Sequence, residues 1–457
     1  MGRALYDSES LFVDDRGISE LLSENEKFKT WLKVEVALAQ AQAECGYIPS
    51  DAAVKIEESC KIENIDLEEV FRIKAEIGHG FVPFLKVLNK VCDPEASKYI
   101  HYGVATQNIQ QTSQLYIAKK VHYVFLDFLA DILNNLAIVA REYKDAVMPG
   151  RTHSRHAVPM TYGYKVATWI SEIINCVESL IETEPRIFQV MMGGAVGAFN
   201  STKEVGREVQ DLVAKKLEMH SMRVPSRNIS SHKEEYIMKL ALVCNSLHKI
   251  AEEVYYTGME EIGEVFEPFK EGTVGSSTMP QKINPKLSKG IIANSQKLYT
   301  MLPAGLYSNV RLYEGDSSSY MLFDGLMEEA LQLTAEVIKR AEKLTKGLVI
   351  NKEKLLEHAW TNKGLDNSEY VMMNLAKKLG KNKAHEIVYE KAMLVEREGK
   401  NFLDVLKEET LISTQFSEAE IEAMICPQNY IGKSVEIALE LADFADEKAK
   451  KLKDRLR

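Results

Sequence analysis

Apolar residues recur at every third and fourth position over most of this chain, the spacing of helices that bury one face. From Phe28 to Cys45 the pattern is continuous and stops at Gly46, with Pro49 just beyond as a stop signal. The same spacing predicts five more helices: Thr112–Tyr143, ending ahead of Pro149; Pro159–Glu184, with the proline near its start; Lys233–Phe266; Pro285–Met301; and Tyr320–Leu344. Strand signals are scarce, and no Asn-Gly or Asp-Gly turn separates two β-branched runs. An all-α bundle of long helices is the expected fold.

Glycine and serine gather between the helices, at Gly193–Gly197, Gly272–Ser277 and Gly315–Ser319. Such loops are where a bundle carries its function. Gly193–Gly197 is too short for a dinucleotide fingerprint and follows no strand, so it reads as a helix-joining loop. Boundaries near residues 108 and 350 divide the chain into an N-terminal helical domain (1–108), a central long-helix bundle (109–350) and a C-terminal helical domain (351–457). Shorter amphipathic helices fill the last domain, which carries no motif.

The net charge of −10 over 457 residues disfavours nucleic acid as a partner, because phosphate binding needs a basic footprint. Six scattered cysteines form neither a Cys-x-x-Cys pair nor a cluster of zinc spacing, so reduced thiols and no metal are expected. The N-terminus lacks a signal pattern, and the apolar stretch Val124–Ala140 is broken by Asp127 and Asp131. A cytoplasmic protein with no membrane partner is the expectation.

Three segments carry the chemistry. Gly275-Ser-Ser-Thr-Met-Pro-Gln-Lys-Ile-Asn-Pro285 resembles, at every fixed position, the GSSxMPxKxNP signature of the fumarase/aspartase superfamily. Met148–Pro159 resembles the GRTHxxHAxP block of adenylosuccinate lyases and carboxymuconate cycloisomerases, and His101–Ile109 resembles their HxGxTSxD block. More weakly, Gly78-His79-Gly80 falls on the HD pair of adenylosuccinate lyases, while Glu264-Val-Phe-Glu-Pro268 is similar to the cycloisomerase branch. The resemblance implies a homotetramer with a shared helical core, sites built from three chains, a small dicarboxylate substrate and no cofactor.

Breaking a bond β to a carboxylate means removing a weakly acidic C–H proton, and the resulting aci-carboxylate needs donors and a cation around it. Lys282 and Asn284 supply these at the mouth of a helix, where free backbone N–H groups also favour anions. Thr106 and Thr152 add hydroxyls; Arg151, His101, Gln107, Met279 and Arg311 complete the expected substrate contacts. The resemblance assigns proton abstraction to Ser276, which requires a dry cationic pocket to act as a base. His153 is the candidate acid for the leaving group, with His79 next by analogy. Ser277 reads as structural, and His156, three residues after His153, as a packing or supporting residue. His122, His220, His232, His248, His358 and His385 read as surface or packing residues.

Four departures bear on the substrate. The glutamate that supports the acid histidine in adenylosuccinate lyases is Lys289 here, and two acidic residues of the TSxD…DT block are the amides Asn108 and Gln111. In the HERDxSHSSxER segment Arg311 is kept, but the final arginine, a phosphate ligand in the family, is Tyr320. The QxRD region is Asn228-Ile-Ser-Ser-His232. These changes favour a smaller N- or S-succinyl adduct over a nucleotide. The expected activity is β-elimination of fumarate from an N- or S-succinyl adduct, adenylosuccinate-like or a succinyl-amino acid. A 3-carboxy-cis,cis-muconate cycloisomerase-like enzyme is the alternative. A non-enzymatic structural member is a third reading, and retention of Ser276, His153, Lys282 and Asn284 argues against it.

Overall fold

The structure is a computed structural model that describes residues 13–456 apart from 270, 271, 273–275 and 277, and only the backbone at 317 and 319–324. Helix accounts for 70% of the chain, so the all-α class holds. The helices used below are α1 (Glu24–Glu44), α2 (Leu67–Ile77), α3 (Val82–Val91), α4 (Thr106–Glu142), α5 (Tyr162–Ile187), α6 (Ser231–Thr257), α7 (Lys286–Asn309), α8 (Ser317–Lys346) and α9 (Lys352–Ala359). Short strands make three two-stranded sheets: β1 (Val147–Thr152) with β2 (Arg155–Thr161), β3 (Gln189–Val190) with β4 (His220–Ser221), and β5 (Val265–Phe266) with β6 (Val349–Ile350).

The chain folds as two compact units, each drawn from separated stretches. One takes the chain up to Phe128, Cys176–Asn245 and Gly290–Lys339; the other takes Leu129–Asn175, Ser246–Lys289 and the chain from Arg340 on. Local signals explain how the first unit is laid out. Ser23 caps α1 by accepting the Glu26 N–H at 3.1 Å, and Asp66 caps α2 by accepting that of Glu69 at 3.0 Å. Gly78, at φ 65, ends α2 in the left-handed conformation and turns the chain at His79. The buried rings of Phe28, Trp31, Phe81 and Phe84 pack with neighbouring centroids 4.7–5.9 Å apart and lock α1 to α3.

α4 is the one described helix long and apolar enough to cross a membrane by length and composition, yet Phe125, Leu126, Leu129, Leu133 and Leu136 on it are fully buried, as in a core helix. In the second unit the C-terminal helices close over their own core of Val371, Leu375, Phe402, Leu406 and Ile421.

The expected helices differ from those found at several ends: α4 begins at Thr106 and not Thr112, and α7 runs past Met301 to Asn309. The apolar run from Lys233 continues to Phe266, but α6 ends at Thr257: a Cβ at Gly258 would lie 3.0 Å from the carbonyls of Val254 and Val265, and the chain there turns into β5. Pro159 does not open a helix. It lies in β2 opposite Pro149, and α5 begins at Tyr162. No Asn-Gly turn marks the hairpin: its two turn residues are His153 (φ 51) and Ser154 (φ 60), both left-handed without being glycine. Left-handed backbone is costly for residues with a side chain and more so for β-branched ones. Ser154→Gly is therefore expected to stabilise the protein by about 0.5 kcal/mol, and Ser154→Val to cost about 2 kcal/mol. Thermal unfolding of both variants checks this; a Val variant as stable as wild type refutes the turn.

Candidate active site

The candidate residues fall into two groups, one within each unit. In the first unit, His79 uses Nδ1 to accept the N–H groups of Phe81 and Val82, both at 3.1 Å, and so caps the start of α3. Its ring proton therefore sits on Nε2. The Phe81 ring lies 5.4 Å from that of His101. His101 is left-handed (φ 57), and its Nδ1 is 2.7 Å from Oε1 of the buried Glu35, a partner that no motif had marked. Thr106 and Gln107 open α4 a few residues on.

Asn108 is structural. Its side-chain oxygen accepts the N–H of Ala105 at 2.9 Å, capping α4, and that of Gly194 at 3.1 Å, holding the Gly193–Gly197 loop. Gln111 donates to Gln107 at 3.1 Å and accepts from the buried Lys233 at 3.3 Å. Burial, then the charges of Lys233 and Arg311, push the neighbouring His232 imidazole down to about 3. Lys233 and Arg311 thus place two positive charges near His232. The Arg311 guanidinium is anchored on the carbonyls of Arg227 (2.6 Å) and Ser308 (3.2 Å).

Two of the segments that depart from the adenylosuccinate lyase pattern turn out to be neighbours. Arg227 donates to the Gly315 carbonyl at 2.9 Å, Asn228 to that of Tyr313 at 2.9 Å, and Ser230 to the Asn309 side chain at 2.7 Å. The side chain of Tyr320, which stands where the family has its phosphate-binding arginine, is outside the described residues.

In the second unit, the hairpin presents Thr152 and His153 at its exposed tip. A register shift at Gly150 lets the strands approach: a Cβ there would lie 2.7 Å from the Val158 carbonyl. Arg151, expected to meet substrate, forks onto both oxygens of the buried Glu264. His358 Nδ1 shares that carboxylate at 2.6 Å. Burial alone would raise the Glu264 carboxyl, but the hydrogen bonds and charges of Arg151 and His358 outweigh it and hold the group below its usual range. His358 is therefore part of a charged cluster and not a plain packing residue. His156, read from sequence as a packing or supporting residue, stands cross-strand from Arg151. Its Nδ1 is 3.2 Å from Asp366, which also accepts from Asn362 at 2.8 Å. Both pairs border an open cleft of about 540 Å³ with Arg155, Glu369 and Glu396 on its walls.

In the signature loop, Ser276 is half-buried, and its Oγ faces the N–H groups of Met279 (3.3 Å) and Thr278 (3.4 Å). Two backbone dipoles aimed at one hydroxyl oxygen favour negative charge on it. Gly275 and Ser277 lie outside the described residues. Met279 and Lys282 are exposed and joined by a turn, the Lys282 N–H reaching the Met279 carbonyl at 3.0 Å; Asn284 is half-buried just before α7. The mouth of α7 is not open to an outside anion as sequence implied. The Glu267 carboxylate accepts the N–H of Leu287 (3.0 Å) and both the N–H (2.9 Å) and hydroxyl (3.0 Å) of Ser288.

Comparison with known proteins identifies the family. A family described as "Lyase" matches residues 16–297, and one described as "Adenylosuccinate lyase C-terminus" matches residues 364–441, where the sequence had offered no motif. The chain is similar to the adenylosuccinate lyase of Pyrococcus horikoshii, at 33% identity over 94% of this chain and 95% of the relative. It is similar to the N-acetyl-S-(2-succino)cysteine lyase of Enterococcus italicus at 32% identity, with 88% of each chain covered. Among solved structures, a fumarate lyase from Mesorhizobium sp. BNC1 superimposes with a TM-score of 0.87 at 27% identity, covering 97% of this chain and 99% of that one. Signature, fold and relatives converge: the chain belongs to the fumarase/aspartase superfamily of lyases.

Proposed function

We propose that this lyase releases fumarate from an N- or S-succinyl adduct of a small leaving group. The observation that carries the reading is the Ser276 hydroxyl facing the backbone N–H groups of Thr278 and Met279, an arrangement that lowers the cost of an alkoxide. Ser276 removes the Cβ proton, and the electron pair delocalises into the adjacent carboxylate, which Lys282 and Asn284 bind. Collapse forms the alkene of fumarate and breaks the C–N or C–S bond. His153 protonates the departing nitrogen or sulfur; His79, with its proton on Nε2, is next in line.

Both adenylosuccinate and N-acetyl-S-(2-succino)cysteine are substrates of relatives by name. The smaller adduct is favoured here, because the 228–232 and 309–320 segments depart from the nucleotide-using pattern together and bind each other through Asn228 and Ser230. A panel of succinyl adducts, followed by the appearance of fumarate, tests the reading: fumarate from the S- or N-succinyl amino acids supports it, and no fumarate from any adduct sinks it. Lactone from 3-carboxy-cis,cis-muconate would instead favour the cycloisomerase reading, which Lys289 in place of the supporting glutamate supports.

The assembly is proposed as a homotetramer with sites shared among chains. α4 alone is about 55 Å long, and the stretch around the end of α7 exposes Leu306, Tyr307, Val310, Leu312 and Tyr313, each more than half accessible. Light scattering at micromolar concentration is expected to give four chains per particle; a monomer overturns the proposal.

A further inference from the structure

The Glu35 carboxylate sits inside α1, 1% exposed, where a charge must be compensated by hydrogen bonds. Both its oxygens are spent on one residue. Oε1 is 2.7 Å from His101 Nδ1, and Oε2 accepts the His101 backbone N–H at 3.2 Å. The first contact fixes the tautomer of the neutral ring: as a carboxylate only accepts, the proton is on Nδ1, which leaves Nε2 as the acceptor. The second holds the backbone in the left-handed conformation (φ 57) that aims the ring. Gln42 reinforces the turn by donating to the Tyr102 carbonyl at 2.6 Å, and at Gly103 (φ 73) a Cβ would lie 3.0 Å from Thr202. His79 has the opposite tautomer, with Nδ1 accepting two N–H groups, and the Phe81 ring packs against His101.

We infer that Glu35 is the positioning residue of His101, presenting Nε2 as an acceptor for an N–H donor on the leaving group. The inference rests on the reading above, in which His101 contacts substrate. It deepens that reading by separating the two candidate-site histidines of the first unit: His79 offers a donor at Nε2, and His101 offers an acceptor. Glu35 acts through the ring and touches no substrate itself.

Glu35→Gln tests it, because an amide presents one acceptor and one NH₂ where the carboxylate presents two acceptors. With NH₂ toward the ring, Nδ1 becomes the acceptor and the proton moves to Nε2; turned the other way, the amide meets the His101 N–H with a second donor. Solid-state ¹⁵N NMR of the full-length, histidine-labelled protein reads the tautomer, with the His101 signal assigned by its loss in His101→Asn. The expected result is transfer of the proton from Nδ1 to Nε2. Alongside it, kcat/KM for adenylosuccinate or N-acetyl-S-(2-succino)cysteine, whichever releases fumarate, is expected to fall about 10–100-fold, mainly through KM. In the His101→Asn background the same change is expected to cost less than about two-fold. An unchanged tautomer overturns the inference, as does an equal loss in both backgrounds, which would mark Glu35 as a residue of the fold alone. Full activity in His101→Asn overturns it by removing His101 from the substrate site. Failure of the proposed function is a separate outcome: wild-type protein then releases fumarate from neither compound.

Discussion

Replacing Ser276 by alanine is expected to leave substrate affinity close to wild type while slowing the chemical step by more than about 10⁴-fold, the upper end of what general acid–base catalysis contributes. The size follows from the assigned role. No other group is assigned to take the Cβ proton, and Lys282 and Asn284 would still bind the carboxylate. The backbone N–H groups of Thr278 and Met279 lose their acceptor, but neither is assigned to substrate. Ser277→Ala is expected to be far milder, because that hydroxyl is assigned to the loop. Affinity and single-turnover rate separate the outcomes. A dead Ser277→Ala enzyme, or equal loss of affinity and rate in Ser276→Ala, removes Ser276 as the base and brings forward His153 or His79.

Lys282→Met is expected to lower kcat about 10²–10³-fold, the usual effect of removing one group that stabilises developing negative charge, and to raise KM as well. The residue is exposed, and its structural tie is the backbone bond to Met279, which methionine keeps. The unfolding midpoint should therefore stay within a degree or two of wild type, as for most exposed substitutions. Turnover at the wild-type rate would mean that the cation at the reacting carboxylate comes from elsewhere.

What the sequence made legible follows the range of the interactions involved. The long helices depend on local periodicity, and most were placed within a turn or so of their ends. The signature block was legible because several fixed residues lie within eleven consecutive positions. The hairpin was not: its turn relies on His153 and Ser154 adopting a conformation that composition does not advertise, and Pro159 carries the same letter in β2 as at a helix start. Partners distant in sequence were also invisible. Glu264 and His358 are 94 residues apart, and Glu35 and His101 are 66 apart. Motifs mark His101 and Glu264, but nothing local ties them to Glu35 and His358; only folding makes either pair a dyad. Glu267 shows the same limit, since its bonds to Leu287 and Ser288 close the mouth of α7 from outside that helix.

The facing prolines of the hairpin bear on how its two edges are kept from pairing with a stray strand. A free two-stranded sheet has two open edges, each a template for pairing with another chain. Pro149 and Pro159 oppose each other in register, and neither has an N–H to exchange across the ladder. Residues in such a rung direct their backbone groups outward. Each proline therefore deletes a donor from an outer edge, β1 on one side and β2 on the other. A newly made chain can extend its hairpin, with His153 at the tip, without offering a continuous row of donors to a stray strand before its proper neighbours arrive.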